Sequence, residues 1–155
     1  MTDAQNMPPT AEALAKMSGL EIMQAMVAGR LPPPPFAKLI GFEMGEAREG
    51  EVVFTCTPRI EHYNPLGSVH GGFAGALLDS AMGCAVHTMM KPGESYATWE
   101  YKVQLVRAMT VDTGTVRAEG KVVYLGRRVA TAEGRIVDAG GKLYAHGTTT
   151  CIVLK

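Results

Sequence analysis

The chain has no excess of charge of either sign. Its 155 residues include 15 basic and 15 acidic side chains, which balance to a formal charge of zero at pH 7. Because protein surfaces that bind nucleic acids are strongly basic, this balance argues against a nucleic-acid partner and favours a small molecule. The sequence also lacks a membrane-spanning apolar run and a basic leader, so we expect neither membrane insertion nor secretion.

Cysteine is scarce as well. Cys56, Cys84 and Cys151 are odd in number and widely spaced, and they include no Cys-x-x-Cys pair. This pattern argues against a disulfide framework and against a zinc site. We therefore expect a protein of the reducing cytoplasm that holds no metal and no other cofactor.

The length suits one domain with an appendage at its N-terminus. Apolar residues spaced three or four apart predict a single amphipathic helix from Thr10 to about Gly29, which the prolines at 32–35 end. We expect residues 1–35 to form a helical arm with a stiff connector, and residues 36–155 to form the domain. The arm is interpreted as a cover for apolar surface or as a lid over a ligand tunnel, and the sequence leaves both open.

A long apolar segment follows a His-Gly-Gly turn and contains one acid. Between Gly71 and Met90, Asp79 is the only side chain with a formal charge at neutral pH, and apolar or small residues cover every face. This pattern predicts a buried helix. An unpaired carboxylate is costly to bury, so Asp79 is a candidate catalytic residue, with a neutral or salt-bridged structural acid as the alternative.

Strand-like stretches surround this helix. Their short connections predict antiparallel neighbours. In the stretch that begins near Tyr96, the apolar residues Trp99, Tyr101 and Leu105 alternate with polar ones, which predicts one apolar sheet face covered by the Gly71 helix. The sequence therefore predicts an α+β domain in which a long antiparallel sheet wraps around one central helix. The predicted strands lie at about 51–58, 96–106, 115–125, 129–138 and 142–153.

From Phe36 to its end, the chain resembles the hotdog-fold acyl-CoA thioesterases, in particular the phenylacetic-acid-degradation branch. The resemblance rests on Asn64 six residues before the His70-Gly71-Gly72 turn, on Asp79 nine residues after that histidine, and on the strand TWEYKVQLVRAMT, which begins at Thr98. It implies a homodimer, or a dimer of dimers, with two equivalent sites at the subunit interface.

The resemblance also implies catalytic roles. The Gly71 N–H at the helix N-terminus would polarise a thioester carbonyl, and Asp79 would act as nucleophile or as general base. A helix rises about 1.5 Å per residue, so these groups lie roughly 12 Å apart along one helix. If both act in one site, Asp79 must come from a second copy of the chain.

Supporting roles follow from the same resemblance. Gly72 would allow close backbone approach, Asn64 would orient the carbonyl or the attacking water, and Thr98 would help to hold that water. His70 would support the turn and ranks below Asp79 as an acid or base. Asn64 before a proline is also a good turn residue on any fold, and Thr98 suits a strand for its own sake.

Coenzyme A carries phosphates, so a site for it needs cations near its mouth. Arg127 and Arg128, which follow Gly126 between two predicted strands, are candidates, although turn arginines are often simply solvated. The predicted activity is hydrolysis of an acyl-CoA to a carboxylate and free CoA. Two alternatives remain, namely a non-catalytic acyl-CoA-binding hotdog protein and a hotdog hydratase or dehydratase of enoyl or hydroxyacyl thioesters.

Overall fold

The structure, a computed structural model, describes residues 10–155; the first nine residues of the predicted arm lie outside this range. The arm contains two helices, α1 at Ala11–Ala15 and α2 at Gly19–Val27. The prediction of one continuous helix is wrong because Ser18 starts a second one. Its hydroxyl accepts the Glu21 N–H, and the Glu21 carboxylate accepts the Ser18 N–H at 2.7 Å, which is a capping box.

The prolines lead directly into the domain. Helix α3 spans Pro35–Ile40 and ends at Gly41, whose φ of 85° is a left-handed conformation that favours glycine. Strands β1 (Phe42–Arg48) and β2 (Glu51–Cys56) then form an antiparallel hairpin. Helix α2 packs on β1 and on the end of the central helix, so the arm lies against this side of the domain.

The apolar segment forms the central helix, α4, at Gly71–His87. Ten of its 17 residues are buried, so the helix is the centre of the hydrophobic core, as predicted. Among residues 10–155, no helix is long and apolar enough to cross a membrane.

Six antiparallel strands form one sheet around α4, in the order β1-β2-β4-β5-β6-β3. The predicted antiparallel neighbours β4–β5 and β5–β6 are confirmed, but the prediction that β3 and β4 are neighbours is wrong. β3 pairs with β6 and forms one edge, whereas β4 pairs with β2, so the link between β3 and β4 crosses the sheet. The predicted α+β class, with a sheet wrapped around one helix, is confirmed. The last four strands are β3 (Ser95–Leu105), β4 (Val116–Leu125), β5 (Val129–Asp138) and β6 (Leu143–Leu154).

Glycines let α4 lie close to the sheet. Gly120 and Gly134 are register partners on adjacent strands and face the helix. A Cβ on Gly120 would collide with the backbone carbonyl of Ala81, and one on Gly134 would lie 2.9 Å from Met82 Cγ. The close contact fixes the height of α4, and therefore the position of every side chain that α4 presents.

Candidate functional site

Asp79 lies partly buried on α4 and accepts a hydrogen bond from Thr98 of β3. The distance from Thr98 Oγ1 to Asp79 Oδ1 is 2.9 Å. Among the residues described, no lysine, arginine or histidine forms an ion pair with this carboxylate. Asp79 therefore has a neutral hydroxyl as its hydrogen-bonding partner.

A β-bulge creates this contact. Thr98 pairs with Cys151 and Glu100 with Thr150, so Trp99 is an extra residue in β3. The bulge reverses the alternation, because Thr98 before it and Tyr101 after it both face α4. The predicted apolar face of Trp99, Tyr101 and Leu105 is thus wrong at Trp99, which is 68% exposed.

Three titratable side chains near Asp79 are kept neutral by burial. Burial raises the pKa of the Cys84 thiol to about 12, and the charge of Asp79 acts in the same direction. Burial also raises the pKa of Cys151 and of Tyr96, with Asp79 again contributing. Sequence reasoning did not connect these three residues with Asp79. Only Cys84 could have been found in this way, because it lies five residues after Asp79 on the same helix.

The N-terminus of α4 leaves one backbone donor free. His70 caps the helix, and its Nδ1 accepts the Gly72 N–H at 2.9 Å. The Gly71 N–H has no acceptor within residues 10–155. Because the His70 ring accepts the Gly72 N–H, the Gly71 N–H is the free donor at this end of the helix. It carries part of the positive charge of the helix dipole.

The Asn64 carboxamide is used by its own loop. Its Oδ1 accepts the Leu66 N–H at 2.8 Å, and its Nδ2 donates to Ser68 Oγ at 3.1 Å. The side chain forms the turn that leads into the His70 cap, and it makes no hydrogen bond to Asp79 or Thr98. The structure thus brings Asp79 and Thr98 together but does not bring Asn64 into contact with them.

The turn at 126–128 lies two strands away from Thr98. Ala130 of β5 pairs with Cys151 of β6, which in turn pairs with Thr98 of β3, so these three residues form one row across the sheet. The turn comes just before Ala130 in the chain and lies just beyond this row. Strand spacing puts the two about 10 Å apart across the sheet. Arg127 and Arg128 are exposed there, with their side chains available to an anionic group.

Comparison with known proteins identifies the family. The model of the Thioesterase superfamily matches residues 66–145, which contain α4, β3, β4, β5 and the start of β6. This chain belongs to the thioesterase superfamily. No curated protein sequence gives a significant match.

Solved structures agree with this assignment. A variant of the phenylacetic acid degradation protein PaaI from Thermus thermophilus is 31% identical, with 77% of this chain and 98% of that one covered and a TM-score of 0.70. A phenylacetic acid degradation-related protein from Ralstonia eutropha is 26% identical over 84% of this chain and 98% of that one, with a TM-score of 0.75. The PaaI protein of E. coli, at 21% identity, covers 89% and 97% with a TM-score of 0.77 and shows the same fold. The predicted hotdog fold is confirmed.

Proposed function

We propose that the protein hydrolyses acyl-CoA thioesters to a carboxylate and free CoA. The observation that carries this proposal is the Asp79 carboxylate, which is partly exposed, has no ion-pair partner among the described residues and is oriented by Thr98. A structural acid on an apolar helix would be expected to have a cation partner. Membership of the thioesterase superfamily supplies the reaction class.

Gly71 and Asp79 are too far apart on one helix to act on the same carbonyl, since eight residues span about 12 Å. Pairing of two β3 edge strands would bring Gly71 and Asp79 of different chains together. Leu105 at one end of β3 lies against Gly71, and Thr98 near the other end holds Asp79. If two β3 strands pair antiparallel about a two-fold axis near Tyr101 and Lys102, Thr98 of one chain lies opposite Leu105 of the other. Gly71 of one subunit then lies near Asp79 of its partner.

The chemistry in such a site needs two elements. The Gly71 N–H donates to the thioester oxygen and stabilises the negative charge that develops on it, which is worth on the order of a hundred- to a thousandfold in rate. As general base, Asp79 takes a proton from water while the water oxygen forms the new C–O bond; the C–S bond then breaks, and the departing thiolate takes the proton from Asp79. As nucleophile, Asp79 forms a C–O bond to the carbonyl carbon and expels the CoA thiolate, which leaves an anhydride; water then cleaves the anhydride, regenerates Asp79 and supplies the proton for the thiolate. Either route yields a carboxylate and the CoA thiol.

The remaining roles follow from position. Thr98 orients Asp79, His70 keeps the turn closed so that Gly71 stays free, and Gly72 keeps the approach to that N–H open. Asn64 acts through the shape of the same loop. In this scheme the ring of His70 is a hydrogen-bond acceptor, which disfavours the hydratase alternative because that reaction uses a catalytic histidine.

The CoA end of the substrate is assigned to the turn of Gly126, Arg127 and Arg128. These guanidinium groups suit phosphate oxygens, which they bind in bidentate fashion.

We also propose that residues 1–35 form an arm on a thioesterase domain of residues 36–155. The working assembly is a cytoplasmic dimer, or a dimer of dimers, that needs no cofactor.

The test is thiol release from a panel of acyl-CoAs by the wild type and Asp79→Asn. We expect the variant to lose at least about a thousandfold in kcat. Gly71→Pro removes the donor at a helix position that accepts proline, and should cost about a hundredfold or more. Gly71→Ala is its control, because it keeps the N–H and touches only the flexible end of Leu105.

Each result has a clear meaning. Hydrolysis by the wild type together with folded, inactive Asp79→Asn supports the proposal. Full activity in Asp79→Asn would overturn the role of the carboxylate. Tight acyl-CoA binding by the wild type without any hydrolysis would instead establish the non-catalytic binder.

A further inference from the structure

A cavity of about 540 Å³ lies between the arm and the central helix. One wall is α2 with the prolines that follow it, a second is β1 with Phe54 of β2, and the third is formed by three residues of α4. We call it the arm cavity. The match to the thioesterase family model begins at residue 66, so most of its wall lies outside the matched residues.

The lining is apolar. The side chains of Ile22, Met26, Phe36, Met44 and Phe54 are among those that line it, and within the described residues no lysine or arginine does so. The exceptions are Glu43, which is exposed, and three residues of α4: Ser80, Cys84 and His87. Such walls favour an uncharged, hydrophobic ligand and disfavour a carboxylate.

Asp79 itself does not line the arm cavity, but the α4 wall begins one residue after it. Ser80 is the next residue along the helix, and Cys84, one turn further on, is close enough to Asp79 for that charge to affect its pKa. From Ser80 to His87 the cavity follows α4 for about 10 Å. Burial raises the pKa of Cys84 and lowers that of His87, so both are neutral at pH 7.

We propose that the arm cavity receives the acyl group of the thioester, and that the arm selects hydrophobic acyl groups of medium length, aliphatic or aryl-alkyl. This inference rests on the proposed function. With the thioester carbonyl at Asp79, an acyl group that runs along α4 towards His87 enters apolar surroundings, and an acetyl group is too short to reach them. An acyl group with a terminal carboxylate would leave that charge without a cationic partner on the cavity wall.

The test places a charge in the wall. Met26→Glu puts a carboxylate in the arm cavity, and Leu39→Glu puts one on an α3 side chain that is 74% exposed and outside the cavity. For octanoyl-CoA, Met26→Glu should lower kcat/KM by about tenfold or more, and for acetyl-CoA it should stay within about twofold of wild type. Leu39→Glu should change neither. If circular dichroism shows that Met26→Glu has a lower melting temperature than the wild type, Val27→Glu, which is also on the cavity wall, replaces it.

Binding separates this inference from the proposed function. In the Asp79→Asn background, calorimetry with octanoyl-CoA should show the same loss of affinity on adding Met26→Glu, whether or not the parent protein hydrolyses thioesters. Equal losses for octanoyl-CoA and acetyl-CoA would overturn the proposal, and so would an equal effect of Leu39→Glu. Absence of hydrolysis with a selective loss of octanoyl-CoA binding would leave the cavity assignment standing and remove only the activity.

Discussion

The two edges of the sheet differ in how well they are protected. The edge strand β1 has seven residues, carries a register shift at Gly45 and lies under α2, with Glu43, Glu46 and Arg48 as charged side chains. The opposite edge, β3, has eleven residues and exposes Trp99, Tyr101 and Leu105 by 68%, 47% and 59%.

Short, bulged, charged or covered edges resist pairing, whereas a long edge with exposed apolar side chains invites it. By this criterion β1 is closed and β3 is open. Because Asp79 is held from β3 and Gly71 lies under its far end, the open edge is also the one that borders the proposed chemistry.

Of the changes that test the difference between the two edges, blocking β3 should have the largest effect. The Val106 N–H and the Glu100 carbonyl face β6, so the Tyr101 N–H between them points out of the sheet. Tyr101→Pro should therefore spare the β3–β6 ladder and prevent pairing with a second copy. We expect a monomer by light scattering and a loss of activity of at least about a hundredfold. Tyr101→Ala, which keeps the N–H, controls for loss of the ring. An active, dimeric Tyr101→Pro protein would contradict the edge assignment.

Mixing two inactive variants should restore part of the activity. If each site combines Gly71 of one subunit with Asp79 of its partner, a heterodimer of Asp79→Asn and Gly71→Pro has one intact site. Random exchange of subunits then gives about a quarter of the wild-type activity. The measurement is thiol release after co-refolding at equal concentrations, with each variant refolded alone as the control. Recovery no greater than the average of the two variants would mean that both groups act within one chain.

A smaller effect is expected at the bulge. Thr98→Ala removes the hydroxyl that orients Asp79 but keeps the strand, so kcat should fall about tenfold while the dimer persists. Thr98→Ser should retain most of the rate because it keeps the donor. Equal losses in the two variants would indicate that the methyl group matters instead.

The smallest effect is expected at β1. Glu46 forms ion pairs with Arg48 at 3.0 Å and Arg117 at 3.1 Å, all partly exposed. Glu46→Ala should lower the free energy of unfolding by less than about 1 kcal/mol and leave the oligomeric state unchanged, as measured by urea denaturation and light scattering. A change of oligomeric state would show that β1 is not a closed edge.

The central helix and most strands could be predicted because their signals are local. The His-Gly-Gly turn and the apolar run give the start and burial of α4, and turn residues separate β4, β5 and β6. The capping box at Ser18 and Glu21 is local too, but the apolar spacing that continues across it hid the break in the arm.

What could not be predicted depends on distant pairing. Nothing near β3 in sequence indicates that its partner is β6, since short links favour adjacent strands. The contact between Thr98 and Asp79 needs the bulge at Trp99, and strict alternation would have placed Thr98 on the same face as Glu100. The family resemblance therefore singled out Thr98, which does contact Asp79, although the simple strand pattern would have turned it away from α4.

The bulge has one more consequence. Trp99 is the only tryptophan of the chain, and it lies on the open edge with most of its indole in water. Indole emission depends on the polarity around the ring, so the intrinsic fluorescence of the unlabelled protein should report assembly at this edge. A dilution series followed by the emission of Trp99 would give the dissociation constant of the proposed dimer without any added probe.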